Sequence, residues 1–182
     1  MTALEVADWR REVFTLYAAV RASTDLYAAH DLWRRGRDRL FESHPSTPLL
    51  PADRAVFTGL PVRPYDPDWR FDVALQPAPF ERIEVETGTD GVVPFERVGL
   101  VDIPSIGPLD VWRLASYGGG RYLLDTVKGA DLGSTPTSLV LDFNFAYNPS
   151  CAYDPAWACP LAPPGNVVDV EIPVGERYSG AH

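Results

Sequence analysis

Arg121, Asp142, Asn144, Tyr147, Asn148 and Cys151 are the residues of this chain whose types and spacing could do chemistry together. In Gly118-Gly119-Gly120-Arg121, three glycines let backbone N–H groups come close to an anion, while the guanidinium offers a two-pronged fork for a carboxylate or phosphate. The run is not a Walker motif, because no Lys-Ser or Lys-Thr comes after it at the needed spacing. Nor is it a dinucleotide fingerprint, because the residues after Arg121 read as strand rather than helix. The same residues also fit a glycine bulge whose Arg121 pairs with Asp142 or another internal acid.

The other candidates fall between Leu139 and Asn166. Asp142, Asn144 and Asn148 with Tyr147 and Tyr153 would make a polar pocket beneath a loop. Alternatively, Asp142 and Asn144 satisfy loop backbone groups that no sheet ladder reaches. Cys151 and Cys159 are too far apart for a CxxC motif and lack the further Cys or His ligands of a structural zinc site. Two buried thiols, a loop-closing disulfide or one reactive thiolate all remain open, with thiols as the expectation. His30, His44 and His182 are scattered, none at metal-ligand spacing from another, so no metal site is expected. There is no GxSxG elbow and no HExxH. The sequence names no cofactor and does not decide whether the chain is an enzyme.

The elements that must position these groups begin with a strand. Leu139, Leu141, Phe143 and Phe145 alternate with Val140, Asp142, Asn144 and Ala146, which makes Asp142 and Asn144 neighbours on one face. From Tyr147 to Asn166 no period survives. Asn148-Pro149 and Pro163-Pro164-Gly165-Asn166 mark an irregular loop, and ordered loops of this length tend to be functional.

Toward the N-terminus, Trp9, Val13, Leu16, Tyr17 and Val20 recur at helical spacing, and Ser23, Thr24 and Asp25 offer caps for a second helix over about 26–41. The stripe of this second helix is Leu26, Trp33 and Leu40 or Phe41, with Gly36 a weak point. Arg34, Arg35, Arg37 and Arg39 read as a solvated helix face partly balanced by Asp31 and Asp38. Turn chemistry dominates from Pro51 to Asp68. Strands are expected at 69–75, in a hairpin around Thr89-Asp90-Gly91, at 98–103, at 109–115, up to Asp125, at Leu139, and at 168–174. The fold class is therefore mainly β (α+β): an antiparallel β-barrel or sandwich of seven or eight short strands with two N-terminal helices.

A chain of 182 residues with 18 prolines and 14 glycines fits one domain of many short elements, residues 1–182, with helices in 1–43 and the β part over 69–178. A net charge of -9 excludes a general nucleic-acid binder, which needs a basic face. The start MTALEVADWRREVF lacks the features of a signal peptide, and no run approaches a membrane span, so a cytoplasmic protein without membrane partners is expected.

Three stretches, GGGRY, LDFNFAYNPSCAYDPAWACPLAPPGN and VGERY, resemble the family known as domain of unknown function 1684, over at least Trp69 to Tyr178. Leu114-Ala115-Ser116-Tyr117 leads straight into the glycine run where the family pattern places a further strand, so the chain resembles a short version with an internal deletion. The resemblance implies no established activity or cofactor. The leading expectation is a small-molecule site for an anionic ligand, anchored by Arg121 and lined by Asp142, Asn144, Tyr147, Asn148 and Cys151 under the 147–166 loop. The alternative is a non-catalytic structural or partner-binding domain whose signature residues hold the loop.

Overall fold

A computed structural model describes residues 2–87, 91–114, 130–157 and 164–177. Two long helices come first. α1 (Ala3–Ala22) opens with a capping box: the Thr2 hydroxyl accepts from the Glu5 N–H while the Glu5 carboxylate accepts from the Thr2 N–H. α2 (Leu26–Ser43) is capped by Asp25, which accepts from the Ala28 N–H at 3.0 Å, and it closes at His44, just before Pro45. The expected faces are buried: Leu16, Tyr17 and Val20 on α1, Trp33, Leu40 and Phe41 on α2. Trp33 Nε1 donates to Tyr17 Oη at 2.9 Å and ties the two helices together.

Gly36, a weak point by helix propensity, is buried against Leu16 of α1. A Cβ there would lie 2.6 Å from Leu16 Cδ1, so any larger residue would have to displace the Leu16 side chain. A short helix, α3 (Pro51–Ala55), with proline in its first turn, interrupts a stretch whose composition reads wholly as turns.

The strands form two antiparallel sheets. β1 (Arg70–Ala74) pairs with β5 (Ser138–Asp142), and β3 (Gly91–Ile103) lies between β2 (Arg82–Thr87) and β4 (Gly107–Leu114). Gln76, just past β1, exchanges both backbone hydrogen bonds with Leu100 of β3, at 2.8 and 3.0 Å. β1 and β2 thus follow one another along one edge of β3, and the sheets curl into a half-barrel. This is the α+β arrangement of helices and antiparallel strands that the sequence implies. No helix among the described residues is long and apolar enough to cross a membrane.

β5 is buried on both sides. Leu139 and Leu141 join the cluster of Val73, Val101, Ile103 and Phe143, while Val140 belongs to the one that includes Leu16, Tyr17, Val20 and Trp33 of the helices. Its alternation stops at Asp142, earlier than expected, because Phe143–Phe145 wind into a 3₁₀ turn that Asp142 itself caps.

The strand expected over 168–174 does not form. Ile172 and Val174 still pack into the core, but Pro173 has no N–H to offer a ladder, and among the described residues the segment's backbone hydrogen bonds are made at 175–177. There the Arg63 N–H donates to Gly175 O, the Glu176 N–H to Ala146 O and the Arg177 N–H to Pro61 O. The strand expected up to Asp125, the Gly118–Arg121 run and Cys159 lie outside the described residues.

Candidate functional site

Asp142 is the best-connected polar group of the site. Placed at the end of β5 opposite Arg70 of β1, its side chain is fully buried. Oδ1 accepts from Asn144 N–H at 3.1 Å and from Asn144 Nδ2 at 2.8 Å; Oδ2 accepts from Tyr65 Oη at 3.2 Å and Arg70 Nη1 at 3.1 Å. A carboxylate has about four lone-pair positions, so these four donors saturate it. Asn144 is equally engaged. Its Oδ1 accepts from the Asp66 N–H at 2.8 Å, its Nδ2 donates to Asp66 O at 2.8 Å, and the 66–69 turn is thereby clamped to the end of β5.

Two ionisable neighbours are held uncharged. His30 of α2 approaches Asn144 O at 3.1 Å through Nε2, and a carbonyl can only accept, so Nε2 carries the proton. Burial pushes its pKa below the ordinary 6.5, and the ring is held among Trp33, Tyr65 and Phe145. Burial also pushes the Tyr65 phenol well above its ordinary value, and the Asp142 charge adds to it, so the hydroxyl remains a donor.

Tyr147 and Asn148 belong to a second cluster. Glu176, whose side chain is fully buried, accepts from Arg37 Nη2 at 2.6 Å and from Asn148 N–H and Nδ2 at 3.3 Å each; Asn148 Nδ2 also donates to Arg177 O at 3.0 Å. The Arg37 guanidinium carbon lies 4.7 Å from the Tyr147 ring centre and 5.2 Å from those of Trp33 and Phe41. Phe145, edge-on to Trp33 at 5.2 Å, links this cluster to the first. Cys151 sits half-buried in the 3₁₀ turn Ser150–Ala152.

Asp142 with Asn144, and Tyr147 with Asn148, are thus the candidates brought together. Arg121, the expected anion anchor, lies outside the described residues, as does Cys159. Arg37 corrects the reading of a solvated arginine face. Arg34 and Arg35 do pair with Asp31 and Asp38 near the surface, whereas Arg37 turns inward. A signal for this exists in the sequence: Arg37 stands four residues from both Trp33 and Phe41, on the apolar stripe itself. Tyr65 and Arg70 have no comparable signal, because only the fold brings them to Asp142.

A third group lies at the far end of the helices, where Asp8 and Glu12 of α1 come within 4.8 Å of His44. His44 Nδ1 accepts from the Ser46 N–H at 2.9 Å, so the neutral ring carries its proton on Nε2, 3.6 Å from Asp8 Oδ2. Metal-binding histidines show the opposite pattern, donating from the far nitrogen and offering a lone pair to the ion.

No curated protein matches the chain. Its fold is similar to the solution NMR structure of an uncharacterised protein from Haloarcula marismortui, with a TM-score of 0.53 and 28% identity, covering 82% of this chain and 92% of that one. The family model described as "Protein of unknown function (DUF1684)" matches residues 55–177, the span that contributes Tyr65, Arg70, Asp142, Asn144, Tyr147, Asn148 and Glu176 to the two clusters. On that match, over most of its length, the chain belongs to the DUF1684 family.

Proposed function

We propose that the chain is a non-catalytic structural or partner-binding domain in which Asp142, Asn144, Tyr147 and Asn148 hold the 143–157 loop against the half-barrel and α2. The observation that carries this reading is the saturation of Asp142: all four of its hydrogen bonds come from Tyr65, Arg70 and Asn144. A general base or nucleophile needs a lone pair facing its substrate, and this carboxylate keeps none.

A second reading keeps a small anionic ligand, anchored by Arg121 and bordered by Tyr147, Asn148 and Cys151. In its favour, Tyr147 and Cys151 are only partly buried, so the loop does not close completely over these two residues. Thermal-shift screening of wild type and Arg121→Ala against small anionic metabolites separates the two. A ligand at about a hundredfold excess over Kd stabilises by about 2.7 kcal/mol, a readily measured shift. The bracing reading expects no anion whose effect depends on Arg121. An anion that stabilises wild type but not a folded Arg121→Ala protein, as checked by circular dichroism, would overturn it.

A further inference from the structure

The helical hairpin lies outside the span matched by the family model, yet its charged side chains reach into that span: Arg21 donates to Asp131 O, Asp38 accepts from the Leu60 N–H, and Arg37 pairs with the Glu176 carboxylate. Arg37 leaves α2 between Trp33 and Phe41, is 11% exposed, and meets a carboxylate that is not exposed at all. The groups around it on the matched side form a set. Glu176 accepts the guanidinium N–H, Asn148 holds that carboxylate through two N–H donors, and Tyr147 presents its ring face at 4.7 Å. An acceptor oriented from behind and an aromatic face are what a flat, delocalised and weakly hydrated cation requires. A compact ammonium holds its water more strongly and gains less from the ring. Among the described residues Arg37 Nε has no acceptor, so the grip is on one Nη edge and the ring faces.

We propose that Tyr147, Asn148 and Glu176 form a guanidinium-binding site that Arg37 fills in cis, and that through it the family region holds α2. The ligand class is a monosubstituted guanidinium: the arginine side chain in the intact protein, and a small alkylguanidinium once that side chain is truncated. The site goes beyond the bracing of the loop, and it is tested separately, since the Asp142–Asn144 cluster makes no hydrogen bond to Arg37.

Chemical rescue is the experiment. The midpoint of thermal unfolding is measured for wild type, Arg37→Ala and Arg37→Ala/Glu176→Gln in millimolar ethylguanidinium chloride, in ethylurea, and in sodium chloride of equal ionic strength. Arg37→Ala is expected to melt several degrees below wild type. Ethylguanidinium is expected to raise its midpoint by at least about 2 °C more than that of wild type, with no such gain from ethylurea and none in the double variant. Equal shifts in wild type and Arg37→Ala, or a rescue that survives Glu176→Gln, would overturn the proposal. Should Arg37→Ala not fold, Arg37→Lys keeps the charge and the stem. It is expected to melt clearly below wild type, and a midpoint equal to wild type would overturn the proposal.

Discussion

Arg70 and Asp142 stand opposite each other in the β1–β5 ladder, but only Arg70 sees water: 29% of its side chain is exposed and none of that of Asp142. The pair is therefore asymmetric. Asp142→Ala strands three donors, the Tyr65 hydroxyl and both Asn144 N–H groups, in a closed interior, and is expected to cost about 3–5 kcal/mol. Arg70→Ala leaves the carboxylate with those three donors and removes one partly exposed charged partner, at about 1.5–3 kcal/mol, the range of one hydrogen bond to a charged group. Urea unfolding of both variants checks the order, and an Arg70→Ala loss equal to that of Asp142→Ala would contradict it.

Gly175 tests the close approach of the C-terminal segment to the loop. Its φ is +76°, and a Cβ would lie 2.7 Å from Phe143 O and 3.0 Å from Ala146 O. Gly91, at φ +68°, has nothing within 4 Å of the same position. Alanine at Gly91 therefore carries only left-handed strain, about 1 kcal/mol, whereas at Gly175 crowding adds to that strain and the expected loss is at least about 2–3 kcal/mol. Equal losses in denaturant melts would mean that the 175–177 segment yields freely.

The buried imidazole gives the fold a pH dependence. Because the folded pKa of His30 is lowered, the unfolded chain binds the proton first as pH falls. The contribution is complete above about pH 6.5, the unfolded value, and is lost on acidification below it. Tyr65 acts at the other end: its raised pKa contributes stability below about pH 10, which is lost as the pH rises further. Unfolding free energies between pH 7 and 5 should fall more steeply for wild type than for His30→Gln, whose side-chain amide can still donate to Asn144 O. Parallel profiles would show that His30 does not carry the acid-side loss.

Much of this is legible in the chain itself. The apolar spacing of Trp9 to Val20 and of Trp33 to Phe41 marks both helices, and the alternation at Leu139–Asp142 marks β5, because periodicity reports which faces are buried. Asp142 and Asn144 are neighbours as expected, though through a 3₁₀ turn rather than strand alternation, since an Asp side chain that caps the next turn competes with the ladder. The segment at 168–174 has a strand's alternation but not its hydrogen bonds, which a pattern of side chains cannot reveal. Arg37 escapes a reading by composition because its three arginine neighbours make the whole run look solvated. Glu176, Tyr65 and Arg70 reach their partners across 139, 77 and 72 positions of sequence, distances over which local patterns carry no information.

The unfolding free energy of Asn144→Ala in the absence of any ligand tests the bracing role most directly. Asn144 is fully buried and spends its amide on Asp142 and on the backbone N–H and C=O of Asp66. If it braces, its removal strands buried groups, and the variant should lose at least about 2–3 kcal/mol with the loss visible in urea melts. A variant within about 0.5 kcal/mol of wild type, the range of an inconsequential surface change, would contradict the account and return Asn144 to the role of a group kept for something other than the fold.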